Sequence, residues 1–379
     1  MIPSPTRRAT LAVLGLALAP LAACAPASSA HGLTVVATTT QICDYVTQIA
    51  AASNDLSLDK TDASGAQSHV GAAPDSAALT MSLTCLLAPN ASAHEHEMTP
   101  SQAAALANAD VMAVSGVDLE HFLDDAVTSS GFHGRMVVTS GVLTAADIDN
   151  PGASDPEGAY TIDRGNERVD VAPWPFPPEE AGEEPEFRYD PHVWTSPKGA
   201  RIQVANLGAG LAAAAPDAAS SINAATASYL EELDALDQWS AEAIETVPEG
   251  QRVLFTSHDA FGYFSRDYGI SFIGAALSDF NDQQDATADH IASAVQAVKD
   301  SGAVALFAEN SNNSKSIEAI ARGAGVTPIV GDDALYGDSL GPDGSEGATY
   351  VGSIIHNVRA VTQAWGGTVP QLPERLKDQ

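Results

Sequence analysis

The chain has 379 residues, 45% of them hydrophobic, which is enough for two ordinary domains with a sizeable core. Its 49 acidic residues against 17 basic ones give a formal net charge of −32. So acidic a surface repels phosphate, which excludes nucleic acid as the expected partner and suits the attraction of cations.

At the N-terminus, Arg7 and Arg8 precede the apolar run TLAVLGLALAPLAA, which ends at Cys24. The run is too short to span a bilayer comfortably and has the charged, apolar, small-residue layout of an export signal, so residues 1–23 are expected to be removed. Leu21-Ala22-Ala23-Cys24 resembles a bacterial lipobox, in which the cysteine is lipidated and becomes the new N-terminus. An ordinary signal with an incidental cysteine is the alternative, and the paired arginines also suit twin-arginine export. No later segment is long and apolar enough to cross a membrane. The remaining cysteines, Cys43 and Cys85, can pair in an exported chain or stand as two buried thiols.

After the signal, LTVVATTT (33–40) predicts a β-branched strand, with a helix following over 41–51. Residues 52–78, rich in Ser, Asp, Gly and Ala, predict a surface loop or insertion. MSLTCLLA (81–88) is the next strand, and the polar loop PNASAHEHEM follows it. TPSQAAALANA then begins with an N-cap threonine and a proline at the first helical position. DVMAVSG (110–116) and GRMVVTS (134–140) read as strands, with the helical stretch DLEHFLDDAV between them. This alternation predicts a mostly parallel sheet with helices on its faces.

Residues 145–188 break the rhythm with PFPPEEAGEEPEF and similar stretches, and predict an acidic, mobile excursion. From Pro197 the pattern turns helical, and ASSINAATASYLEELDALDQWSAEAIETV predicts one helix of about thirty residues, roughly 45 Å long. Strands resume at QRVLFTS (251–257), SFIGAAL (271–277), AVALFAEN (303–310) and TPIVG (327–331), with a last helix over 351–366. The expected fold is α/β: two α/β lobes with mostly parallel sheets, joined by one long rigid helix. The N-terminal lobe would cover 24–215 with insertions at about 52–78 and 145–188, the helix 216–247, and the C-terminal lobe 248–379.

Three of the ten histidines stand out by context. His94 lies in the loop after the 81–88 strand, His192 in YDPHVWTSPK, and His258 directly after the first strand of the second lobe. Ligands in open α/β sheets bind beyond the carboxyl ends of the strands, and neutral imidazole is a common ligand for zinc and its neighbours.

HEHEMTPSQAAALANAD, DPHVWTSPK, TSHDAFGYFSRDYG and LYGDSLGPDGSEGATYVGSIIHNV resemble, in order, the four signature segments of the zinc/manganese solute-binding proteins of ABC transporters. The resemblance covers nearly the whole mature chain and implies two α/β lobes bridged by a rigid helix. It implies one metal ligand from each segment: His94, His192, His258 and Asp338. His96 could replace or join His94, because Met98 stands where the family has a proline and leaves the register of that loop open.

Three imidazoles and a carboxylate suit zinc, with manganese as the alternative, because manganese favours harder oxygen donors. In the family, manganese-preferring members commonly carry a carboxylate where His258 stands. The implied role is capture of Zn2+, or alternatively Mn2+, outside the cell membrane by a lipid-anchored protein, with delivery to an ABC transporter permease and its ATPase. No enzymatic role is expected. The alternative reading is an extracytoplasmic zinc metalloenzyme using the same cluster with one open position. Gly337-Asp338-Ser339-Leu340 spells the GDSL lipase motif, but it comes late in the chain and His356 lacks the aspartate those enzymes place three residues before their histidine. Imidazole must be neutral to coordinate, so affinity is expected to fall below about pH 6.5.

Overall fold

The computed structural model describes Met1 and residues 32–94, 96–150, 158–174, 187–276 and 288–377. The expected signal segment and its Cys24 lie outside the described residues.

The first half is built on β1 (Leu33–Ala37), α1 (Thr40–Ala51), β2 (Leu56–Thr61), β3 (Gln67–Gly71), β4 (Leu79–Cys85), α2 (Pro100–Ala107), β5 (Val111–Val114), α3 (Leu123–Ser130), β6 (Arg135–Val138), α4 (Ala145–Asp149) and β7 (Thr161–Asp163). Its sheet runs in the order β3-β2-β4-β1-β5-β6-β7, and every neighbouring pair is parallel except β2 with β3. β5 is apolar and buried throughout, as expected for a parallel strand covered on both faces. β4 alternates instead, burying Leu79, Met81, Leu83 and Cys85. The helix starts are locally encoded. Thr39 caps α1, and Thr99 and Gln102 form a reciprocal capping box ahead of Pro100 in α2.

Three expectations change here. Residues 52–78 are not a loop: β2 joins the sheet parallel to β4, and β3 returns antiparallel as its edge. Only Leu56, Ser57 and Leu58 of this hairpin are buried, so its hydrophobic signal is too short to read as two strands. The 145–188 stretch is likewise more than an acidic excursion. It contains α4 and β7, the other edge of the sheet, fastened by Arg135–Asp163 and Arg164–Asp147 ion pairs at 2.8 and 2.9 Å; its residues 151–157 and 175–186 lie outside the described residues. Finally, helix α3 begins at Leu123, not Asp118. Gly116, Val117 and Asp118 take positive φ of 87°, 59° and 57°, which no right-handed helix admits. The buried Glu120 carboxylate stabilises that turn by accepting from the N–H groups of Ser115 and Gly116 and from the Thr38 hydroxyl.

The chain then runs through α5 (Pro197–Ala214) and α6 (Ala219–Glu245) into β8 (Val253–Thr256), α7 (Gly262–Tyr268), β9 (Ser271–Ala275), α8 (Ala288–Ser301), β10 (Ala305–Phe307), α9 (Lys315–Ala324), β11 (Thr327–Ile329) and α10 (Tyr350–Ala364). β8 pairs with β9 and β10 with β11, both in parallel. At 1.5 Å per residue, the 27-residue α6 is about 40 Å long. It packs against α1 and α5 from the first half and against α7 and α10 from the second. Ile222, Tyr229, Leu233, Leu236 and Ile244 form its buried stripe, and one apolar core continues from β1 through α6 to α10. Among the described residues, no helix is long and apolar enough to cross a membrane.

Candidate metal centre

Parallel strands place all their carboxyl ends along one edge, and chemistry-bearing residues gather there. The chain leaves β4 at Cys85 and reaches His94 nine residues later; it leaves β8 at Thr256 and reaches His258 at once. His192 precedes a short 3-10 turn and the Ser196-capped start of α5. Asp338 lies in the loop between β11 and α10. Hydrogen bonds hold that loop in place, among them Gln41 Nε2 to the Asp338 carbonyl (3.0 Å), Leu340 N–H to the Thr40 hydroxyl (2.9 Å) and Trp194 Nε1 to the Gly337 carbonyl (2.9 Å).

His94, His192, His258 and Asp338 each offer one donor atom, and these atoms all lie within 4.8 Å of one another. All four residues are buried, His192 completely. The His94 and His192 Nε2 atoms are 3.1 Å apart. Asp338 Oδ1 lies 3.0 Å from His258 Nε2 and 3.5 Å from His192 Nε2. Asp338 Oδ2 lies 3.5 Å from His94 Nε2 and accepts the Ser92 hydroxyl at 2.6 Å. All three imidazoles thus turn Nε2 toward the carboxylate.

Two further carboxylates stand behind the rings. Asp190 Oδ1 is 2.8 Å from His192 Nδ1 and also accepts the His192 N–H at 3.0 Å. Glu309 Oε2 is 2.7 Å from His258 Nδ1, and its Oε1 accepts the His258 N–H at 2.9 Å. Such partners fix the tautomer and orientation of a ligating histidine. Glycine makes the room for each. A Cβ at Gly262 would stand 2.3 Å from Asp190 Oδ2, and one at Gly337 would stand 2.1 Å from Glu309 Oε2.

These surroundings push the His94 and His258 rings apart electrostatically. Burial lowers the pKa of His94 to about 4, helped by the neighbouring imidazoles and opposed by Asp338. Burial also opposes a charged His258, but Asp338 and Glu309 outweigh it and hold that ring well above the usual imidazole range. Burial would raise Asp338, yet His258 and His94 hold its carboxyl well below the usual value.

His96 stays outside the four-donor group. Its ring lies edge-on to Phe122 at 4.9 Å, and burial lowers its pKa. Cys43 and Cys85 are disulfide-bonded, tying α1 to the end of β4, the strand that leads to His94. A separate cavity of about 450 Å³ lies beside this disulfide, between α1, the β2–β3 hairpin and the 340–348 loop, away from the four donors. Ser339, the serine of the GDSL tetrapeptide, is buried and points its hydroxyl at backbone carbonyls and Thr40.

Sequence reasoning missed Asp190, Glu309 and Ser92. Asp190 stands two residues before His192, and Glu309 ends the apolar run of β10, so the strand-edge rule that marks His258 could also have marked Glu309.

Residues 35–364 match the family described as zinc-uptake complex component A, periplasmic. Among curated proteins, the chain is 28% identical over 285 residues to the manganese-binding lipoprotein MntA of Bacillus subtilis (strain 168), covering 74% of this chain and 82% of that one. It is 32% identical over 184 residues to the zinc-binding protein TroA of Treponema pallidum (strain Nichols), covering 47% and 58%. The solved structure of the periplasmic zinc-binding protein TroA from Treponema pallidum superposes with a TM-score of 0.62 at 23% identity, covering 88% of this chain and 99% of that one, which is a likeness of fold. With the family matched across most of its length, the chain belongs to the periplasmic zinc-uptake component A family.

Proposed function

We propose that this protein is an extracytoplasmic substrate-binding receptor that captures a divalent metal ion, zinc first, and delivers it to an ABC transporter permease with its ATPase. The observation that carries this reading is the convergence of His94, His192, His258 and Asp338, from four distant segments, to within 4.8 Å of one another in a buried centre. The ligands are these four residues. Three nitrogens and one carboxylate oxygen satisfy a tetrahedral zinc ion, and a closed shell leaves no position for an activated water, so the centre suits carriage over catalysis. With His192 and His258 neutral, the ion is balanced by Asp338 in contact and by Asp190 and Glu309 behind. Manganese is the second reading, supported by the relative from Bacillus subtilis, which is named for manganese.

Cys24, lipidated, would hold the protein at the outer face of the cell membrane; one acyl chain binds marginally, so more than one is expected. The ligands come from both halves, so metal arrival ties the halves together. Helix α6 packs on elements of each, which favours small shifts of loops over wide hinge closure.

The test is native mass spectrometry of the mature protein exposed to an equimolar zinc and manganese mixture, repeated with His258→Ala. One zinc per chain is expected in the parent protein and a large loss in the variant. Unchanged stoichiometry and affinity in the variant would remove His258 from the site.

A further inference from the structure

Resting on the metal-receptor reading, we propose that Phe187, Trp174 and Ser92 act as selectivity residues: they hold the centre at four ligands and so favour zinc over manganese.

Manganese prefers six oxygen-rich ligands in an octahedron, whereas zinc is satisfied by four in a tetrahedron. With three imidazoles and one carboxylate fixed, a six-coordinate ion needs two more donors. Among the described residues, the second oxygen of Asp338 is the nearest further donor, and water is the other source.

Ser92 opposes the second route. Its hydroxyl donates to Asp338 Oδ2 at 2.6 Å, so that oxygen is engaged while Oδ1 faces His258 and His192. An Oδ2 that already accepts this hydrogen bond has given up one of its lone pairs and is the weaker second donor to an ion. Ser92 is itself positioned by the loop it shares with His94, whose N–H donates to the Ser92 hydroxyl at 3.3 Å.

Aromatic rings oppose the first route. Phe187, 2% exposed, lies 5.4 Å from the His94 ring, centroid to centroid. Trp174 lies 5.6 Å from Phe187 and 6.1 Å from the His192 ring, and Trp194 lies edge-on to His192 at 5.5 Å. A coordinated water needs two or more polar partners, and ring faces offer none of comparable strength. The apolar shell around a metal site controls solvent access in this way.

The wall is built to stay in place. Trp174 N–H donates to the Arg188 carbonyl at 3.1 Å and Asp190 N–H to the Ala172 carbonyl at 2.9 Å, forming a short antiparallel neck with a bridge between Pro173 and Tyr189. The Tyr263 hydroxyl, from α7, accepts from Ala172 N–H at 3.1 Å and donates to the Asp190 carbonyl at 2.8 Å. Arg266 lies over the Tyr263 ring and donates to the Asp170 carbonyl at 3.0 Å. The same neck therefore sets both the aromatic wall and Asp190, which orients His192.

The experiment compares the parent protein with Trp174→Ala, Phe187→Leu and Ser92→Ala. It measures competitive zinc and manganese affinity and the visible spectrum of the cobalt(II)-loaded protein. The parent is expected to prefer zinc and to give the intense bands of four-coordinate cobalt. The variants are expected to weaken those bands and to narrow the zinc-over-manganese ratio by about tenfold or more, the scale of outer-shell changes at metal sites. Variants that fold by circular dichroism yet keep both the parent ratio and the parent spectrum would overturn the proposal while leaving the receptor reading intact. A parent protein that binds neither metal would overturn the receptor reading, and this proposal with it. Trp174 and Ser92 are only half-buried, so their variants decide the matter even if Phe187→Leu fails to fold.

Discussion

The loops after β4 and after β8 solve one task in opposite ways. Each carries a histidine beyond the carboxyl end of a parallel strand, and the two rings lie 6.3 Å apart. Yet burial takes His94 down to about 4, while Asp338 and Glu309 hold His258 well above its usual range despite burial. The loop of the first half delivers a neutral ligand that is ready at any physiological pH. The loop of the second half delivers a ligand whose neighbouring carboxylates favour its protonated form, so metal must compete with that proton. Equal placement on the fold therefore does not mean equal chemistry; the charges behind each ring decide it.

The sharpest way to break this contrast is to remove each ring in turn. His94→Ala and His258→Ala are both expected to weaken zinc binding beyond the roughly 10–100-fold that loss of an outer partner costs, measured by competition with a chelating indicator. They should differ in proton release. Near neutral pH the parent releases His258's proton on binding, so affinity rises by up to about tenfold per pH unit while that ring titrates. His258→Ala should lose this dependence and His94→Ala should keep it. Calorimetry in buffers of different ionisation enthalpy reads the difference, and equal proton release in both variants would end the distinction. Because His258 is raised, the dependence should extend above the pH of about 6.5 expected for a free imidazole.

A milder change sharpens the same contrast. Glu309→Gln keeps the shape behind His258 but removes a charge, so the His258 pKa should fall toward that of free imidazole, visible by NMR titration, with zinc affinity lower by about 10–100-fold. No movement of the His258 titration would show that Asp338 alone sets it.

The smallest effect on the centre is expected from Cys43→Ser with Cys85→Ser. The bond closes 42 residues of sequence beneath the His94 loop. Its loss should lower stability by roughly 2–4 kcal/mol in denaturant unfolding while changing zinc affinity much less. A larger fall in affinity than in stability would mean that the first-half loop depends on the disulfide for its geometry.

Much of this architecture is legible in the residues. Apolar runs such as VMAV and the capped start at Thr99 encode their elements locally, because strand burial and helix capping act over a few residues, whereas the strand expected over 33–40 ends at Ala37 and Thr39 caps the helix instead. The β2–β3 hairpin is not legible: β2 pairs with β4 across long stretches of chain, Leu56 opposite Leu79, and only three residues of the hairpin are buried. Nor is the late start of α3, where a left-handed turn wins because the Glu120 carboxylate satisfies its N–H groups.

By itself the sequence determined which side chains are offered: three histidines and an aspartate in recognisable segments on a strongly acidic chain. Only the tertiary structure decided what those side chains become. The carboxylates of Asp190 and Glu309, the glycines that admit them, the Ser92 hydroxyl and the rings of Phe187 and Trp174 come together across long stretches of chain. Protonation, orientation and solvent access are set by distances of a few ångströms, and those distances do not exist until the sheets, α6 and the paired residues 172–174 and 188–190 have packed.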